Sequence, residues 1–138
     1  MRKTVFVFIA FGLSTLGNAQ LVSNLPAMPC AGEYENVKVE KIADDSLSTA
    51  FVICVKGGVK HHFHAGHTEN VYILEGSGTM EWNDKVFEVN AGDYVLIPRN
   101  TVHAVMAKSP MKVLSIQTPR WVTEDRIMAS PIRRPHNE

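Results

Sequence analysis

The chain has no charge of either sign to spare: 14 Lys and Arg stand against 14 Asp and Glu in 138 residues. Such a balance leaves no basic footprint for nucleic acid or for an anionic membrane surface, so neither is expected as a partner. Long hydrophobic runs are missing too. The longest, residues 5–11, is cut by Gly12 and falls short of the roughly 18–20 apolar residues that span a bilayer. Cysteine is scarce, and with only Cys30 and Cys54 there is no CxxC redox pair and no four-cysteine zinc site. A chain of this length makes one domain with one core, which argues against a two-domain enzyme.

What is present begins with a leader pattern. Arg2 and Lys3 precede the apolar residues 5–11, Leu13 and Leu16 follow, and Gly17 and Ala19 supply small residues ahead of a cleavage point before Gln20. That order predicts a secretory signal peptide over residues 1–19, with the mature chain exported to a periplasm or the cell exterior and free of the membrane after cleavage. Export makes Cys30 and Cys54 candidates for one disulfide, while the alternation of Cys54 with Val52 and Ala50 suits a small buried hydrophobe equally well. Both readings stay open at this point.

Residues 20–36 contain Pro26 and Pro29 and read as an irregular N-terminal extension. From residue 37 onward, short runs rich in β-branched side chains are separated by turn residues. Strands are predicted near 37–42, 49–55, 60–64, 70–74, 78–82, 85–89, 93–97, 102–107 and 111–117, with Gly57-Gly58, Glu75-Gly76 and Asn83-Asp84 among the turns. The cadence predicts an all-β domain over 37–118, a single antiparallel β-barrel or jelly roll. A tail over 119–138 follows, with one helical turn expected at 123–128 capped by Thr123.

Five of the six histidines lie in two places, with His61, His62, His64 and His67 together and His103 far along the chain. In a strand, residues i and i+2 share a face, so His62 and His64 set two imidazoles side by side while His61 and Phe63 point away. Glu69 opens the next strand and can return a carboxylate to the same place, and His103 can add a third imidazole. Such donors suit a divalent Mn, Fe, Co, Ni, Cu or Zn ion, whereas calcium demands more oxygen ligands. The bland alternative is a rim of solvated histidines that binds nothing. His67, in the loop, is expected to be exposed. If Glu69 points inward so do Val71 and Ile73, and if His103 does so do Val105 and Ala107, giving an apolar cavity wall. Tyr72, Tyr94, Lys60, Arg99 and Gln117 are the polar candidates nearby, each weighed as structural or outward-facing before functional.

These residues resemble the cupin superfamily at both of its signature motifs. The first stands as His62-Phe63-His64, then Glu69, with Gly76 closing it; the second runs from Gly92 through Pro98 to His103. Three positions depart from the pattern: Lys56 stands where a glycine is usual, Asn100 replaces the glycine after the proline, and Ala107 replaces an asparagine. None of them removes a ligand. The resemblance implies a metal site of His62, His64, Glu69 and His103 holding one divalent transition metal ion (Fe, Mn, Ni, Cu or Zn), with positions left for water or substrate. It also implies a metal-dependent enzyme acting on a small organic acid or similar metal-chelating substrate. The gap between His64 and Glu69 resembles germin-type oxalate oxidases and flavonol dioxygenases, favouring dioxygenase or oxidase chemistry. An isomerase or lyase of sugar acids is the alternative, and a non-enzymatic small-molecule or carbohydrate-binding barrel is another. Val71 stands where sulfoniopropionate lyases carry a tyrosine, and seed globulins join two barrels in a longer chain. Because cupins pair through sheet edges, a homodimer is expected.

Overall fold

The computed structural model describes residues 22–122 and 125–131. Eight strands follow one another: β1 (Val37–Asp44), β2 (Thr49–Val55), β3 (Gly58–Phe63), β4 (Thr68–Trp82), β5 (Lys85–Asn90), β6 (Tyr94–Ile97), β7 (His103–Thr118) and β8 (Ile127–Met128). No helix forms among the described residues. The leader read at residues 1–19 lies outside them.

The frame is a long antiparallel ladder between β4 and β7, paired from Thr68 and Thr118 at one end to Trp82 and His103 at the other. On the outer edge of β4, β6 pairs with its first half and β5 with its second. On the outer edge of β7, β3 pairs with its first half and β2 with its second, and β1 and β8 extend these edges. The ladder is bent in the middle, where its register slips between Ile73 and Gly78. Each half therefore belongs to a different layer, and the result is the antiparallel jelly roll expected, open at its edges.

The bend has a local cause. Gly76 has φ 80°, and a Cβ there would lie 2.1 Å from the carbonyl oxygen of Pro110, so only glycine lets the two strands approach at the fold. Bulges turn strands without ending them. The expected breaks at Glu75-Gly76 and between 107 and 111 are corrected accordingly: β4 and β7 each run unbroken through them. Asn83, with φ 51°, does make the tight β4–β5 turn, and Asn100, with φ 61°, takes the left-handed conformation where the family pattern has glycine.

Between the layers, Val55, Ile73, Met80, Val89, Ile97 and Met111 form a buried apolar cluster. The N-terminal extension is fastened to the outside by the Cys30–Cys54 disulfide, by Lys56 Nζ donating to the Tyr34 carbonyl at 2.8 Å, and by buried Lys112 Nζ donating to the Pro26 carbonyl at 2.6 Å. Of the two readings of the cysteines, the disulfide is the one the fold adopts. The tail also departs from expectation. Thr123 and Glu124 lie outside the described residues, and in place of the helical turn Ile127 and Met128 pair with Phe63 and His62 as β8. A free edge on β3 offers backbone partners that a single helical turn lacks.

Candidate metal centre

Because the β4–β7 ladder folds over on itself, its two ends meet. Glu69 and Gln117 face each other at one end of the ladder, and His103 lies at the other, where it also pairs with His62 of β3. His64 sits in the connection from β3 to β4, between the layers. Sequence parity thus becomes a cluster: the ring nitrogens of His62, His64 and His103 fall within 4.8 Å of one another. Oε2 of Glu69 lies 3.4 Å from Nε2 of both His64 and His103. All four are buried.

The imidazoles are held in one orientation. Backbone carbonyls of Lys60, Asp125 and Thr101 accept from Nδ1 of His62 at 2.8 Å, His64 at 3.0 Å and His103 at 2.9 Å. With Nδ1 donating to a carbonyl, Nε2 of each ring is the nitrogen left for the interior, and once free of a proton it offers the lone pair a metal ligand needs. Ser115 Oγ donates to Oε1 of Glu69, so the carboxylate is oriented as well.

Electrostatics sort these groups. Burial, with His103 close by, pushes the His62 pKa down to about 4 and keeps that ring neutral at pH 7. Burial works against charge on His64, but the hydrogen bond and charge of Glu69 outweigh it and raise its pKa above the ordinary histidine value. For Glu69 burial favours the neutral acid, and hydrogen bonds from His103, His64 and Ser115 overcome it, holding the carboxyl well below the usual carboxylate range. The site is therefore anionic at one atom and surrounded by imidazoles. Three imidazoles and one carboxylate form a donor set suited to a divalent transition metal, and a spacing of 3.4 Å is what two ligands about 2.1 Å from one ion require.

The cluster borders a cavity of about 350 Å³ whose wall is mostly apolar, including Val71, Ile73, Met80, Val105, Met111 and Val113. Val71, Ile73 and Val105 line it as expected, while Ala107 packs against the core beyond the wall.

Other sequence expectations fare differently. His61 points away and pairs with Glu81 at 3.0 Å. His67 is not exposed: it is 3% accessible, stacked on His64 at 4.4 Å between ring centroids, and paired through Nδ1 with Asp125 Oδ2 at 3.0 Å. The same carboxylate accepts the amides of Ala65 and Gly66, so Asp125 latches the tail onto the histidine loop. Nothing local in the sequence announces that latch. Tyr72 and Tyr94 face outward, and Lys60 and Arg99 are exposed. Gln117 instead turns inward and lines the cavity. Its signal was strand parity with Met111, Val113 and Ser115. Phe51, Trp121 and Arg126 also reach the cavity, the last two from a tail that strand patterning leaves unplaced.

Residues 51–117 match the Cupin_2 family, described as a cupin domain. A protein of Methanocaldococcus jannaschii, itself uncharacterised, is 38% identical over 95 residues, which cover 67% of this chain and 75% of the relative. The chain belongs to the cupin family. Among cupins it is also similar to quercetin 2,3-dioxygenase of Bacillus subtilis, with 44% identity over 43 residues, 31% of this chain and 13% of the dioxygenase. This chain therefore corresponds to a small part of that enzyme. The solved structure of KdgF from Halomonas sp. superposes with a TM-score of 0.61 at 21% identity, covering 65% of this chain and 86% of KdgF. At that identity the likeness concerns the cupin fold.

Proposed function

We propose that this cupin is an exported metalloprotein in which His62, His64, Glu69 and His103 hold one divalent transition metal ion. We further propose that it is a metal-dependent enzyme of the dioxygenase or oxidase type, acting on a small metal-chelating organic acid. One observation carries the reading: three imidazoles with Nδ1 pinned by carbonyls direct their remaining nitrogens, beside one oriented carboxylate, at the end of an apolar cavity. A bound ion of this kind supplies a Lewis-acidic centre and, for a redox-active metal, an electron route to dioxygen. The chain's own residues do the rest. Glu69 and the histidines fix the ion's position, Ser115 and the three carbonyls fix theirs, and the Val, Ile and Met wall excludes water from the substrate's body.

The similarity to the quercetin dioxygenase supports the oxidative branch. A sugar acid fits less well, because its several hydroxyls would lie unpaired against the apolar wall. Export is supported by the leader pattern and by the Cys30–Cys54 disulfide, a bond characteristic of oxidising compartments. A homodimer through the edge of β1 that faces away from β2, left without a strand partner among the described residues, is part of the proposal. Light scattering after size exclusion would give twice the mature mass, and a monomer mass at micromolar concentration would remove it.

Oxygen uptake tests the reaction class. With the metal-loaded protein, consumption is expected on addition of small hydroxy acids and catechol-like compounds, and none with the same ligands and the metal alone. Turnover of a substrate without oxygen uptake would move the reading to isomerase or lyase chemistry.

A further inference from the structure

Two polar groups in the cavity are left unused by the metal site. Gln117 is 8% accessible, lies opposite Glu69 on the ladder, lines the cavity, and has no hydrogen-bond partner for Oε1. A buried carbonyl oxygen without a donor is unfavourable unless a ligand supplies one. Arg126 lines the same cavity from the tail and makes no ion pair or hydrogen bond among the described residues. Arg126 is exposed as a residue, so its guanidinium meets solvent as well as the cavity. The rest of the wall is mostly apolar and includes Val55, Met80, Val89 and Met111.

We propose that Gln117 and Arg126 are the specificity residues of this site and that its ligand is a hydroxy acid with an apolar body. The ligand's hydroxyl donates to Gln117 Oε1, its carboxylate meets Arg126, and its hydrocarbon part fills the Val and Met interior. An ammonium in place of the hydroxyl would face Arg126 as a like charge. The idea rests on the functional reading above only in assigning the ligand as substrate; the recognition itself needs no metal.

Titration calorimetry with mandelate, phenylacetate and mandelamide tests it, since the second lacks the hydroxyl and the third lacks the charge. Wild-type protein is expected to bind mandelate roughly 10-fold or more tighter than either analogue. Gln117→Met should erase the preference for mandelate over phenylacetate and keep that over mandelamide, and Arg126→Gln should do the reverse. Because the methionine relieves an unpaired buried oxygen, the thermal midpoint of Gln117→Met should not fall. A midpoint several degrees lower would mark Gln117 as structural and overturn the proposal. So would equal binding of the three compounds, no binding at millimolar concentration, or a Gln117→Met variant that still discriminates. Metal content measured on the same samples separates the two readings. Protein that holds an ion yet does not discriminate loses this proposal alone, and protein that holds none yet discriminates loses only the metal reading.

Discussion

At the fold of the β4–β7 ladder, Gly76 packs on Pro110 and the side chains nearby are Ile73, Met80 and Met111; at its two ends, equally buried, are Glu69, Gln117 and His103. The same strands build both regions, yet only one is made of groups that gain by leaving water. Burying an apolar side chain is favourable by about 1.5–3 kcal/mol, whereas burying a carboxylate and imidazoles is unfavourable unless each finds partners. Here each does, from the carbonyls of Lys60, Asp125 and Thr101 to the hydroxyl of Ser115. The closed end of the fold thus carries stability, and the open end spends part of it on a pre-arranged donor set.

Breaking the closed end should unfold the protein without chemical selectivity. Gly76→Val combines a positive φ with a Cβ clash on Pro110 and should cost about 4 kcal/mol, read as loss of soluble protein or a collapse of the thermal midpoint. Removing the disulfide, as Cys30→Ala/Cys54→Ala, opens a link over a sequence separation of 24 and should cost about 3 kcal/mol in urea titrations. Any metal bound should stay bound, because that link lies on the outer layer.

The open end should answer differently. Ser115→Ala removes the donor to Glu69 Oε1 and should cost about 2 kcal/mol while weakening metal retention against a chelator. If stability fell and metal retention did not, the hydroxyl would be a packing group and the contrast between the two regions would blur.

The smallest expected effect is acid release of the tail. Asp44 is held below its ordinary pKa by Arg120 and Lys41; Asp125, despite some burial, is held low by the amides of Gly66 and Ala65. Both carboxyls are depressed in the folded state, so their contribution is present above the unfolded value of 3.8 and is lost as the pH falls below it. Trp121, edge-on to Phe51 at 5.6 Å, should report this as a fluorescence change in a Trp82→Phe background. A change centred above pH 5 would point to histidine instead.

How much of this could be read from the chain follows from the range of each cause. That His62, His64, Glu69 and His103 come together was legible from strand parity for the first two and from the spacing of the family's two motifs for the set. The jelly roll was legible because turn residues recur at close intervals. The continuity of β4 and β7 was not, since Gly76 and Pro110 look the same in a sequence whether a strand ends or bends. His67 could not be placed because its partner Asp125 arrives from the tail. Nor could β8, which exists only because the edge of β3 is free.

The most direct test of the account is elemental analysis of mature protein isolated without an affinity tag, alongside His62→Ala/His103→Ala. The account predicts about one equivalent of Fe, Mn, Ni, Cu or Zn in the wild type and its loss in the folded variant. No metal in either protein, or the same content in both, would contradict it.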